Sequence, residues 1–95
     1  MRVLQSYLLV SLSSVKVTIV YLGQAREVAR TKEEELVLTT PAKVEHAITE
    51  AISAHPELTK LMETIRLLLD GQWAAGNAEL KDGDRVTLLP PVGGG

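Results

Sequence analysis

The sequence predicts an α+β fold in which a mixed sheet is covered on one face by one main helix. Apolar and polar residues alternate with period two across residues 15–22 and 85–89, the spacing of strands with two unlike faces. Between them Val44, Ala47, Ile48, Ala51 and Ile52 recur at i, i+3, i+4, i+7 and i+8, which sets all five on one stripe of an amphipathic helix. The other apolar runs are short and bounded by turn residues, so they read as further strands. At 95 residues the chain fills a single core and forms one domain.

Composition removes several function classes. Lys plus Arg is 10 against 12 for Asp plus Glu, a net charge of −2, which supplies no basic field for a nucleic-acid backbone. Without cysteine there is no disulfide framework, thiolate nucleophile or Cys-type zinc site. The 45% hydrophobic share holds one Trp, two Tyr and no Phe, so the core is expected to be aliphatic and base-stacking platforms are not expected. The longest apolar stretch, residues 3–12, is interrupted by Gln5, Ser6 and Ser11 and falls short of the roughly 20 residues a membrane span needs. Neither nucleic acid nor membrane is an expected partner.

Taken in order, residues 1–14 read as an N-terminal extension. Leu8, Val10 and Leu12 alternate there with Leu9, Ser11 and Ser13, which suggests an extra strand, and a small-x-small cleavage site is missing. The domain proper spans residues 15–89. Its first strand carries Val15, Val17, Ile19 and Tyr21 on one face and closes at Gly23. Residues 26–35 read as an exposed turn and 36–39 as a second strand, a hairpin with a long loop. Thr40 and Pro41 read as the N-cap and first residue of the helix, where a hydroxyl accepts an orphan amide and proline loses no needed donor. Pro56 ends that helix by pushing the residue before it out of the α region, and residues 57–62 form one short extra turn. Residues 65–69 make a strand. Asp70-Gly71 then fits a type I′ turn leading into Gln72-Trp73. Residues 81–84 form another turn, and the last strand, 85–89, points Val86 and Leu88 inward and Thr87 and Leu89 outward before Pro90-Pro91 stops pairing. The first and last long strands are predicted to lie parallel at the sheet centre, joined by a right-handed crossover that contains the helix. That is the ubiquitin-like β-grasp arrangement.

No catalytic constellation emerges. His46 falls opposite the Val44/Ile48 stripe and reads as solvated, whereas His55 beside Pro56 reads as a helix-end packing residue. No set of converging metal ligands is found, so no metal is expected. Glu33-Glu34-Glu35 reads as a solvated charge run, because consecutive strand residues point to different faces. What remains is the extended tail, residues 90–95. Pro90 and Pro91 stiffen its exit, and Gly93, Gly94 and Gly95 lack a Cβ and can thread a narrow channel. Fully extended, it holds a terminal carboxylate roughly 20 Å from the sheet, within reach of another protein's active site. On composition alone, a frayed end is the favoured reading.

The segments that run 17–28, 43–58 with its closing His-Pro-Glu-Leu, 69–73, and 80–86 into 89–95 resemble, in the same order, the sulfur-carrier family of β-grasp proteins, the MoaD/ThiS family. The nearest branch is the small subunit of molybdopterin synthase. Most specific is the Leu80-Lys81-Asp82-Gly83-Asp84 turn that leads to Pro90-Pro91-Val92-Gly93-Gly94-Gly95. The resemblance implies that a ubiquitin-activating-type adenylyltransferase uses MgATP to adenylate the Gly95 carboxylate. A sulfur donor such as a sulfurtransferase then converts the glycyl adenylate to a thiocarboxylate. It implies further that the tail, with Gly94 aiding its threading, inserts into the synthase large subunit and delivers sulfur for the molybdopterin dithiolene. The chain would bind no cofactor of its own, would not be catalytic alone, and is expected in the cytoplasm.

Alternation places Val20, Leu22 and Leu89 on the sheet face away from the helix. With Trp73, in a position where the resemblance puts a partner-contacting residue, Leu22 and Leu89 make a candidate docking patch continuous with Pro90, Pro91, Val92 and Gly93; ordinary edge packing is the other reading of Trp73. Three departures from the family stand out: the extension 1–14, Tyr21, Leu22, Leu88 and Leu89 where phenylalanines are common, and Gly93 in place of a small Ser, Thr or Ala. The alternatives are a carrier for tRNA or thiamin thiolation, a ubiquitin-like protein modifier, or a β-grasp interaction module whose tail is never activated.

Overall fold

The computed structural model describes residues 13–91. The strand predicted at 8–12 and the tail residues Val92, Gly93, Gly94 and Gly95 lie outside the described residues. The elements run β1 (Ser14–Tyr21), α1 (Gly23–Ala29), β2 (Glu33–Thr39), α2 (Val44–Ala54), a 3-10 helix (Pro56–Leu61), β3 (Arg66–Leu69), β4 (Gln72–Trp73) and β5 (Arg85–Leu89). They form one five-stranded sheet of order β2-β1-β5-β3-β4. β1 and β5 are parallel, with Tyr21 opposite Leu88, and every other pairing is antiparallel. The mixed sheet with α2 packed on it is a ubiquitin-like β-grasp.

Alternation decides the core. Val17, Ile19, Tyr21, Val86 and Leu88 point to the helical side and are buried. They meet Val44, Ala47, Ile48 and Ala51 of α2, all buried, with Ile52 half-buried at the rim. The apolar stripe of the helix and the period-two faces of the strands therefore find each other as the sequence predicts. Burial of these aliphatic side chains at roughly 25 cal/mol per Å² of apolar surface is the main stabilising term.

Three local expectations are corrected. Residues 26–35 are no open turn: α1 occupies the first part, burying Ala25 and Ala29. It stops where Arg30 adopts φ 61 and donates its N–H to the Arg26 carbonyl at 2.8 Å. Ala25, Val28 and Ala29 carried the helical spacing, but two turns with only one large apolar residue give a weak periodic signal. β2 starts at Glu33 rather than residue 36, because pairing with β1 extends to Val20. Thr40 and Pro41 do not cap α2. Its N-cap is Lys43, whose N–H donates to His46 Nδ1 at 2.9 Å, while the Thr40 hydroxyl donates to the Ser13 carbonyl at 2.7 Å.

Both turn motifs act as fasteners. Asp70 and Gly71 have φ of 50 and 84, the two positive values a type I′ turn requires. Asp70 Oδ1 accepts the Arg85 N–H at 3.0 Å and so ties that turn to the start of β5. In the Lys81–Asp84 turn, Asp82 Oδ1 accepts the Lys16 N–H and Asp84 Oδ2 the Lys81 N–H, each at 2.7 Å. The carboxylates of this turn thus close the loop ahead of β5 and fasten it to β1.

Candidate functional site

β5 sits at the sheet centre and leads directly to the tail. Its last residues are cradled by the end of β1: the Leu22 N–H donates to the Leu88 carbonyl at 3.2 Å. Gly23 then takes φ 51, and a Cβ at this position would lie 3.8 Å from the Pro90 ring. That distance is ordinary contact, so it is the positive φ that favours glycine here. The Pro90 ring consequently packs on the chain just after β1 and is buried, whereas Pro91 is exposed. The exit is fixed by packing as well as by the proline φ restriction.

Among the described residues nothing covers the face away from α2. Register places Val20, Thr87, Leu68 and Trp73 in one row across four strands, with Leu89 opposite Arg66 in the next. Trp73 is 66% exposed and Leu22 is 37% exposed, values that mark an apolar surface left open by the described residues. The Arg66 guanidinium lies over the Trp73 ring, 5.7 Å from its centroid, a cation–π contact. A cleft of about 520 Å³ opens beside the exit, lined by Thr64, Arg66, Trp73, Leu89, Pro90 and Pro91. Of the predicted partner-binding residues, Trp73, Leu89, Pro90 and Pro91 therefore converge on one cleft. Leu22 stands outside its lining, though its neighbour Gly23 supports Pro90. Arg66 was missed from sequence because a lone arginine in a short strand carries no signal until the register sets it beside Trp73.

Beneath the exit lies a polar cluster that sequence reasoning also missed. Glu34 is not part of a solvated run: its Oε1 accepts the buried Tyr21 hydroxyl at 2.7 Å and faces His55 Nε2 at 2.8 Å. The Tyr21 and His55 rings meet edge to face, with centroids 5.7 Å apart. Its neighbour Glu33 points the other way and pairs with Arg85 at 2.8 Å, as strand alternation demands. Burial raises the pKa of the Glu34 carboxyl, but the hydrogen bonds from Tyr21 and His55 outweigh it and hold the group below its ordinary range. Burial, then the hydrogen bond and charge of Glu34, push the Tyr21 phenol well above its usual value. His55 thus ties the end of α2 to β2 through a carboxylate. His46 is exposed. Among the described residues no three carboxylates or imidazoles converge as a metal site, and no helix is long and apolar enough to cross a membrane.

The family model described as ThiS family matches residues 19–95. The chain belongs to the ThiS family. This ThiS-family chain is 32% identical over 83 residues to the molybdopterin synthase sulfur carrier subunit of Chlamydomonas reinhardtii, with 85% of the chain and 100% of that relative covered. Among solved structures it resembles SAMP1 of Haloferax volcanii, a small archaeal modifier protein, with a TM-score of 0.77 and 26% identity; 84% of this chain and 99% of SAMP1 are covered. It also resembles a chain of the complex of subunits 1 and 2 of molybdopterin-converting factor from Helicobacter pylori, with a TM-score of 0.56 and 26% identity, covering 85% of this chain and 100% of that one. In that structure the family fold is bound to a partner subunit.

Proposed function

We propose that this ThiS-family chain is a sulfur carrier, the small subunit of a molybdopterin synthase, and that its reacting group is the Gly95 carboxylate. The observation that carries the reading is the family match running through residue 95, on a tail that leaves the sheet beside an uncovered apolar face holding Trp73 and Leu89. The 32% identity to a molybdopterin synthase sulfur carrier subunit supports this branch.

In the proposed sequence a ubiquitin-activating-type enzyme binds the carrier and MgATP. A carboxylate oxygen of Gly95 attacks the α-phosphorus and pyrophosphate leaves, giving a glycyl adenylate. A sulfide equivalent from a sulfur donor attacks the acyl carbon, AMP departs, and the terminus becomes a thiocarboxylate. The synthase large subunit then receives the tail, with Trp73, Leu22 and Leu89 against its surface and Pro91, Val92, Gly93 and Gly94 along its channel, and sulfur passes to the molybdopterin precursor. The carrier supplies the reacting atom; the partners supply acid, base and oxyanion groups.

The likeness to SAMP1 favours a second reading, in which Gly95 is joined to protein lysines as a modifier. One experiment separates them. Incubation with the cognate activating enzyme, MgATP and sulfide is expected to add about 16 Da, oxygen replaced by sulfur at the terminus. Transfer of that sulfur to a pterin by the synthase large subunit confirms the branch; lysine conjugates without pterin thiolation redirect it to the modifier. An unchanged mass with a competent activating enzyme rejects the carrier, and the further absence of lysine conjugates rejects the modifier.

A further inference from the structure

The opposite edge of the sheet carries a feature the tail chemistry does not use. β2 is an edge strand, and among the described residues nothing pairs with its outer side. Val37, midway between Glu35 and Thr39, is 67% exposed. Hydrogen-bonded pairs alternate along an antiparallel ladder. The Tyr21 N–H donates to the Lys32 carbonyl and the Thr40 N–H to the Ser13 carbonyl, which fixes the parity of the whole β1–β2 register. Glu33, Glu35, Val37 and Thr39 therefore turn their N–H and C=O groups outward. The Glu33 carbonyl accepts the Thr31 hydroxyl at 3.2 Å, and among the described residues those of Glu35, Val37 and Thr39 meet no partner; an edge with such groups and an exposed valine is a template for another strand.

We propose that this edge pairs with the same edge of a second copy of the chain, antiparallel and centred on Val37. The register argues for self-pairing. With Val37 opposite Val37, each Glu35 lies opposite a Thr39 and each Leu36 opposite a Leu38, so no glutamate faces a glutamate. The Thr39 hydroxyl can donate to the Glu35 carboxylate, a favourable cross-strand pair. The outward groups of Glu35, Val37 and Thr39 supply about six new backbone hydrogen bonds. Glu33 is engaged by Arg85 and Glu34 by Tyr21 and His55, leaving Glu35 as the carboxylate of the run to be matched. The other edge of the sheet, β4, is two residues long, so pairing closes at a two-fold dimer instead of propagating. Trp73 lies on that far edge and the tail exit on the central strand β5, so neither is part of the paired edge and a dimer presents two tails.

An interface of one strand pair is small, and half-association is expected between about 0.1 and 1 mM. Because the sequence has no cysteine, single-cysteine variants of the full chain read the register directly. Paired residues in such a ladder have Cα atoms about 5.5 Å apart, within disulfide reach. Val37→Cys is expected to oxidise to a covalent dimer at least about tenfold faster than Thr59→Cys, an exposed control on the 3-10 helix. Sedimentation of the unmodified chain is expected to show mass rising with concentration, and Val37→Lys, which sets two cations face to face, to remain monomeric. Equal oxidation at positions 37 and 59, a dimer that survives Val37→Lys, or a monomer at every concentration would overturn the proposal and leave the edge to a different partner or to none.

Discussion

The two faces of this sheet are built from the same strands and the same residue types, yet do different work. On the inner face Ile19, Tyr21, Val86 and Leu88 are fully buried against α2. One residue along each strand, Val20, Thr87 and Leu89 are only half-buried, because among the described residues no helix covers that side. The inner face stabilises the fold, and the outer face is the one proposed to bind a partner. Hydrophobicity alone does not assign a leucine to either role: Leu88 and Leu89 are adjacent, and only parity separates them.

The largest effect comes from the tail. Deleting Gly94 and Gly95 is expected to abolish sulfur transfer while shifting thermal unfolding by no more than about 1 °C, since the inner face is untouched; retained transfer measured by mass spectrometry would break the division of labour. Leu88→Ala should cost about 2 to 5 kcal/mol in chemical denaturation, against less than about 1 kcal/mol for Leu89→Ala. Similar losses for the two would erase the distinction between the faces. In the opposite sense, Trp73→Ala is expected to weaken large-subunit binding by about 10- to 100-fold by calorimetry, with stability changed by about 0.5 kcal/mol or less.

The smallest effect belongs to Glu34. Its pKa is depressed in the fold, so its stabilising contribution is present above the unfolded carboxylate value and is lost as pH falls through the folded one. Glu34→Gln should cost about 1 kcal/mol at neutral pH, modest because the site is partly open to solvent, and should flatten the acid limb of a denaturation curve. Tyr21 acts in the opposite window: its raised pKa gives stability that is complete below the ordinary phenol range and declines as pH rises above it, a decline Tyr21→Phe removes.

Much of this was legible in the residues. Period-two alternation in β1 and β5, the α2 stripe and the Asp70-Gly71 turn are local signals, each needing only neighbours a few positions away. The family resemblance was legible because its motifs lie in chain order, and the family match runs through residue 95. The α1 helix was not, since Ala25 and Ala29 are too small to print a strong period and their burial depends on the surface they meet. Arg66 beside Trp73, and Tyr21, Glu34 and His55 around one carboxylate oxygen, join residues that the chain separates and only register and packing unite.

By itself the sequence determined which residues could face a core, where the chain must turn, and that its end is free of bulky side chains, because dihedral preference and hydrophobic period act over a few residues. Tertiary structure decided which apolar face stayed uncovered, where Pro90 came to rest, and which of three consecutive glutamates turned inward. Those outcomes depend on the distance between groups far apart in the chain, and that distance exists only once the sheet has formed.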